Sequence, residues 1–356
     1  MAAYLNRVST AVPANDVHEA FVGFAGLLLE GTRGLPLFER LAKRSGIEHR
    51  WSVLTMPGVG LPEVDVDAAG FYRRGAFPST AERMGVYERF APDLAERAVR
   101  GLDLGEAVGD VTHVVVTSCT GLSAPGLDLE LVARLGLDPS VERTVIGFMG
   151  CYAAINAMKA ARHIVRSEPA SKVLILSLEL CTLHLQDTTD LEQVLSFLVF
   201  GDGCAAALVS ADPQGLRLDR FHAVLLPEAA DQITWGIGDQ GFNMVLSGRV
   251  PASVGTAIRA GKEAILGNYA VEDIDLWAIH PGGRSVLDAA ESALALPAEA
   301  LAASREVLRR YGNMSSATIL FVLDRIMGLA RPGDRGCAMA FGPGLTAETL
   351  MFTAAG

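Results

Sequence analysis

The sequence has little positive charge to spare. Lysine and arginine number 30 against 41 aspartates and glutamates, a formal net charge of −11 at pH 7. Such a chain is a poor match for nucleic-acid backbones, which bind through clustered cations. An anionic ligand stays possible, because a few basic residues at one tunnel mouth suffice. No run reaches the roughly 18 uninterrupted apolar residues that a membrane helix needs. The opening segment, Met1 to Asp16, lacks a basic stretch followed by an apolar core, so no secretory leader is read there. A soluble, cytoplasmic protein with neither a nucleic-acid nor a membrane partner is the expectation. Charged residues make up only 20% of the chain, too few for long disordered segments. No low-complexity tract occurs.

Cysteine is scarce and unpatterned. The five are Cys119, Cys151, Cys181, Cys204 and Cys337. Their number is odd, their spacings are wide, and no CxxC pair occurs. That disfavours both a structural zinc site and a disulfide framework. No metal and no bound organic cofactor are expected. The ordinary fate of each thiol is that of a small buried apolar side chain.

What is present is a 356-residue chain that is 50% hydrophobic. That is enough for a large core, or for two cores packed as one body. Apolar β-rich runs alternate with helical runs, which predicts an α/β layered fold. Strands are expected over 111–117, 144–148, 172–178 and 205–210, with helices over 128–135 and 153–166. The second half repeats this character, with strands over 216–224, 274–279 and 336–341. Its helices are expected over 252–266, 285–295 and 315–328. Each half carries strands that end in polar, Gly-rich loops followed by helices, although no sequence repeat is visible. Asp212-Pro213-Gln214-Gly215 is the best boundary, with two turn formers and no apolar periodicity. It divides the chain into 1–212 and 213–356.

Cys151 stands apart from the other thiols. In Gly147-Phe148-Met149-Gly150-Cys151-Tyr152-Ala153-Ala154 a short strand leads through glycine to cysteine and then to a helical run. Free N–H groups and the helix dipole at such a junction stabilise a thiolate. A buried structural thiol fits the same residues. A cysteine nucleophile needs a base or an electrostatic partner. Of the seven histidines, His280 has the distinctive context, Ile279-His280-Pro281-Gly282-Gly283. It ends an apolar strand, where α/β folds place chemistry, although a satisfied core histidine remains open. Asn313, in Tyr311-Gly312-Asn313-Met314-Ser315-Ser316-Ala317, is either a helix cap or turn residue or an amide donor aimed at an oxyanion.

Taken together, these motifs resemble the thiolase-fold condensing enzymes. More narrowly, they resemble the type III polyketide synthases of the chalcone synthase-like family, in a bacterial-type form. Supporting segments agree in order: 121–128 (GLSAPGLD), Phe200-Gly201-Asp202-Gly203, and Phe341-Gly342-Pro343-Gly344-Leu345-Thr346. The likeness spans nearly the whole chain. It implies a thiolase-like α-β-α-β-α layering made of two similar halves. His-Pro-Gly-Gly also separates the chain from third-class ketoacyl synthases, which carry His-Gln-Ala-Asn.

The resemblance further implies that Cys151 carries the acyl chain, that His280 pairs with its thiolate, and that His280 and Asn313 stabilise the enolate formed from malonyl-CoA. Phe200 matches a gatekeeper phenylalanine. Met244 stands where plant members have a second aromatic gatekeeper, and Ala124 where they have a methionine reaching across the dimer. Cys119, Thr120, Cys181, His184, Ser196 and Ser315 fall at cavity-lining positions. Lys43, Arg44 and Arg50 form a basic cluster where the family contacts CoA, although a solvated helix face balanced by Glu39 and Glu48 fits them too. A homodimer using malonyl-CoA and an acyl-CoA starter is implied. The segment 179–186 (ELCTLHLQ) is similar to bacterial members that take aliphatic starters and make pyrones or resorcinols. A single-round ketoacyl synthase, acting on CoA or carrier-protein thioesters, and a non-catalytic acyl-binding subunit are the alternatives.

Overall fold

Val-, Ile- and Leu-rich runs form strands close to where their composition places them. A computed structural model of the chain describes residues 1–55, 67 and 69–356. In chain order the strands are β1 (Tyr4–Ala11), β2 (Asn15–Asp16), β3 (Trp51–Ser52), β4 (His113–Ser118), β5 (Glu142–Gly147), β6 (Val173–Leu180), β7 (Asp202–Ser210), β8 (Leu216–Leu225), β9 (Ile233–Gly238), β10 (Gly241–Leu246), β11 (Leu276–Ile279), β12 (Arg335–Gly342) and β13 (Thr346–Ala354). Every residue of β4 and β6 is buried. Strands covered on both faces read as continuous apolar runs, not as alternating ones, which is why these two are plain in the sequence.

Nine strands join in the order β11-β12-β13-β8-β1-β7-β6-β4-β5. The seam between β1 and β8 is short, pairing only Tyr4 with Arg217 and Leu5 with Leu216. On either side of it the halves match. β4 runs parallel to β6, as β11 does to β12. β7 is antiparallel to β6 and β1, as β13 is to β12 and β8. The duplication absent from the sequence is therefore present in the topology.

The apolar core falls into three clusters that explain the layering. One packs Phe21, Phe24, Leu94 and Val99 from outer helices against β4 and β6. A second lies at the centre, where Ile155 and Met158 of helix Ala153–Ser167 meet Ile319 and Val322 of helix Thr318–Met327. The third sets Val254, Ile258 and Leu287 against Ile279 and Met339. The order is outer helices, half-sheet, two central helices, half-sheet, outer helices. This is the α/β thiolase-like layering.

The expected helix over 315–328 begins differently. Ser315–Ala317 form a tight 3₁₀ turn before the α-helix Thr318–Met327. Ser315 sits at φ 46°, outside the helical region, and its N–H is taken by the Asn313 side chain at 2.8 Å. Other elements were not announced by apolar periodicity. Helix Thr80–Arg100 carries Pro92 in its interior but opens with a capping box between Ser79 and Glu82.

Candidate active site

The strand β5 delivers the chain to Cys151 through a strained corner. Phe148 and Gly150 lie at φ 56° and 69°. A Cβ on Gly150 would sit 2.2 Å from Pro343 Cδ, so only glycine fits. Residues Gly150–Tyr152 make a 3₁₀ turn that runs into the central helix Ala153–Ser167. The Gly150 N–H points to Cys119 Sγ at 3.0 Å. Cys151 keeps partial exposure, and its thiol lies 3.8 Å from Ser315 Oγ. Burial pushes this thiol up to about 12; the hydrogen bonds from Ser315 and Asn313 pull it back only in part, and buried Glu179 pushes it further. The helix N-terminus does not offset this burial.

His280 follows β11 in the other half, at the position that Cys119 holds after β4. Its backbone N–H donates to Met339 O at 2.8 Å, and its carbonyl accepts from Gly282 N at 3.0 Å. The ring is buried, and neither nitrogen has a partner among the described residues. Burial pushes it down to about 3. The result is a neutral imidazole with an unused N–H and an unused lone pair. An unpaired buried polar group costs about 1–3 kcal/mol. Such a group persists where a ligand completes it. Asn313 precedes the second central helix. Its N–H donates to Val199 O at 2.7 Å and its carbonyl accepts from Gly201 N at 2.9 Å. Its side-chain oxygen accepts from Ser315 N at 2.8 Å. Its Nδ2 donates to Gly282 O at 3.4 Å, beside His280.

A cavity opens at the thiol. Cys119, Thr120, Cys181, His184, Ser196, Phe200, Met244 and Ser315 all line it together with Cys151. His280 and Asn313 are not among its walls; Asn313 is tied to them by a backbone bridge to Phe200. The sequence did not single out Phe197, Ile233 and Trp235, which also line it. Ile233 and Trp235 belong to the hairpin β9–β10, whose closing Asp239-Gln240 pair between two glycines was the available signal.

Thr120, His184, Ser196 and Trp235 of this wall are already engaged. The Thr120 hydroxyl donates to Glu179 at 2.7 Å and accepts from Leu180 N at 2.8 Å. His184 Nε2 meets Thr120 O at 2.7 Å, and its Nδ1 accepts from Phe242 N at 3.0 Å. Burial holds this imidazole neutral, down to about 3. The Ser196 hydroxyl donates to Gln193 O at 2.6 Å, and Trp235 Nε1 to Cys119 O at 2.7 Å. Glu179, also not singled out, anchors the floor. It accepts from Cys119 N, Thr120 Oγ1 and Ser316 Oγ. Burial raises it to about 7 against these bonds. A lone carboxylate closing the apolar run of β6 was its sequence signal.

The expected basic cluster divides. Lys43 and Arg44 stand exposed in the last turn of helix Leu35–Arg44. Arg50 is fully buried, with its guanidinium donating to Phe200 O at 3.0 Å and to His18 Nδ1 at 3.0 Å. Carbonyls and a ring nitrogen occupy its donors, so it offers no exposed contact to a phosphate. Among the described residues no group of three or more His, Cys, Asp or Glu is arranged to hold a metal ion. No helix there is long and apolar enough to cross a membrane.

Residues 30–213 match the family model of the N-terminal domain of chalcone and stilbene synthases, and residues 218–355 that of the C-terminal domain. The chain belongs to the chalcone and stilbene synthase family. It is a type III polyketide synthase, a condensing acyltransferase. The alpha-pyrone synthesis polyketide synthase-like Pks18 of Mycobacterium tuberculosis is 36% identical over 281 residues, 75% of this chain and 71% of that protein. Bisdemethoxycurcumin synthase of Oryza sativa is 31% identical over 341 residues, 89% of this chain and 83% of that one. Among solved structures, 1,3,6,8-tetrahydroxynaphthalene synthase of Streptomyces coelicolor superposes with a TM-score of 0.88 at 28% identity, covering 99% of each chain.

Proposed function

We propose that this type III polyketide synthase loads an aliphatic acyl-CoA starter on Cys151 and extends it with malonyl-CoA. Repeated decarboxylative Claisen condensation then gives a pyrone or a resorcinol. The observation that carries the aliphatic starter is the engaged wall. Thr120, His184, Ser196 and Trp235 spend their donors inside the protein, so they offer none to a starter's hydroxyl. Cys119, Cys181, Ile233 and Met244 supply apolar surface. A methylene chain gains from such a wall, whereas a phenolic starter's hydroxyl would find few free partners there beyond Ser315. The relative named for alpha-pyrone synthesis supports the pyrone branch.

The chemistry needs two charge events. His280 takes the Cys151 proton, and the charged pair so formed is held by mutual attraction in a dry site. The sulfur attacks the starter thioester, and CoA leaves with the proton. Loss of CO2 from malonyl-CoA then puts negative charge on the thioester oxygen, where His280 and Asn313 N–H groups donate. The enolate carbon attacks the Cys151 thioester, and the extended chain passes to CoA before reloading. Lys43 and Arg44 meet the CoA phosphates, and the enzyme works as a cytoplasmic homodimer.

Intact-protein mass spectrometry tests the starter. The enzyme is incubated with acyl-CoA thioesters of graded chain length and with aromatic ones. Acyl adducts from aliphatic starters, absent in Cys151→Ala, are expected. Adducts from aromatic starters alone would overturn the assignment.

A further inference from the structure

Arg50 heads the fully buried large side chains of the protein. Among the described residues its guanidinium bonds go to carbonyls and a ring nitrogen, none to a carboxylate. Asp16 and Asp202 favour its charge only through space, and burial pulls it down to about 9. An unneutralised buried cation is expensive unless its donors are all used. Here they are shared between one short segment and His18. Nη1 donates to the carbonyls of Phe197 and Phe200, the latter at 3.0 Å. Nε donates to His18 Nδ1 at 3.0 Å and Nη2 to His18 O at 3.5 Å. The guanidinium carbon lies 5.5 Å from the Phe21 ring centroid.

The segment so held is the one that grips Asn313. Between the two carbonyls bound by Arg50 sits Val199, whose own carbonyl accepts from Asn313 N at 2.7 Å. Gly201 N returns a bond to Asn313 O at 2.9 Å. The stem of Arg50 packs against the residue before Asn313. A Cβ on Gly312, at φ 68°, would lie 2.9 Å from Arg50 Cγ and 2.7 Å from Val199 O. One side chain thus fixes Phe197 and Phe200 in the cavity wall and, through two backbone bonds, the donor residue.

We propose that Arg50 is a positioning residue that clamps the Phe197–Gly201 segment and thereby aims the Asn313 carboxamide. The proposal rests on the role given to Asn313 above. Arginine suits the task because its planar fork reaches several acceptors at once; a lysine point charge does not. His18 is part of the clamp, since burial holds its imidazole neutral, down to about 4, and so leaves Nδ1 able to accept.

The test separates the two half-reactions in Arg50→Lys and Arg50→Gln. Decarboxylation is read as CO2 release from labelled malonyl-CoA in a Cys151→Ala background. Starter loading is read as the burst of free CoA in the Cys151 enzyme. A misplaced donor should lower the decarboxylation kcat by about tenfold to a hundredfold. KM for malonyl-CoA and the loading rate should move less than about threefold, since neither needs the Asn313 amide. Asn313→Ala in the same background is the reference. If Asn313→Ala slows decarboxylation and the Arg50 variants do not, or if they slow loading equally, the clamp is overturned. If Asn313→Ala has no effect, the role of Asn313 falls and the clamp with it. Should the Arg50 variants fail to fold, His18→Leu removes the Nε acceptor while keeping the charge. It must show the same split in smaller measure, and equal or absent effects on both half-reactions would overturn the proposal.

Discussion

A thiol held near 12 and an imidazole held near 3 do not ionise separately at neutral pH. In the proposed mechanism they ionise together, the thiol giving its proton to the imidazole. Replacing His280 by alanine should slow iodoacetamide alkylation of Cys151 at pH 7 by at least about tenfold, measured by intact mass; an unchanged rate would detach the base from the thiol. Cys151→Ala should abolish polyketide formation while CO2 release from malonyl-CoA continues, because the donors at His280 and Asn313 remain. Cys181→Ala should alter only starter preference, read from the product distribution. Cys151, His280 and Asn313 stood out in the sequence because each lies at the end or start of an element, next to or near a glycine. Arg50 was misread because a sequence shows charge but not burial. Glu179 and Trp235 escaped because their partners, Cys119 and Thr120, lie far away in the chain.

At the scale of elements, the corner between β5 and the central helix carries Cys151, the proposed nucleophile. Gly150→Ala must adopt a positive φ and also displace Pro343. A destabilisation of at least about 2 kcal/mol is expected, measured by denaturant unfolding, together with loss of product. An undisturbed variant would show that the corner is not under constraint. The strands buried on both faces were readable as apolar runs. The hairpin β9–β10 and strand β13 were not singled out, although the hairpin supplies Trp235 and Met244 to the cavity. The correspondence of β4 with β11 and of β6 with β12 was invisible, because the halves share direction and order of strands but no recognisable sequence repeat.

For the molecule as a whole, buried ionisable groups set the response to acid. Burial holds His18 down to about 4 and His184 and His280 down to about 3, against about 6.5 in an unfolded chain. Between those values the unfolded chain binds protons that the folded one refuses, so these groups make stability fall as pH drops. Glu179, raised to about 7, and Asp202, raised to about 6, act oppositely. Their stabilisation is present at low pH and is lost as pH rises through those values. The three histidines outweigh the two carboxyls. Unfolding free energy should therefore fall from pH 7 to pH 5 by about 1.4 kcal/mol per pH unit, one proton's worth. Glu179→Gln should steepen the fall. Denaturant titrations at several pH values check both, and constant stability would contradict the account.

The measurement that bears most directly on the central claim is a product assay by mass spectrometry, with malonyl-CoA and acyl-CoA starters of graded length. Iterative condensation at Cys151 predicts a tri- or tetraketide pyrone, or a resorcinol, from an aliphatic starter, and none from Cys151→Ala. A single β-ketoacyl product, or polyketide formed without Cys151, would contradict it.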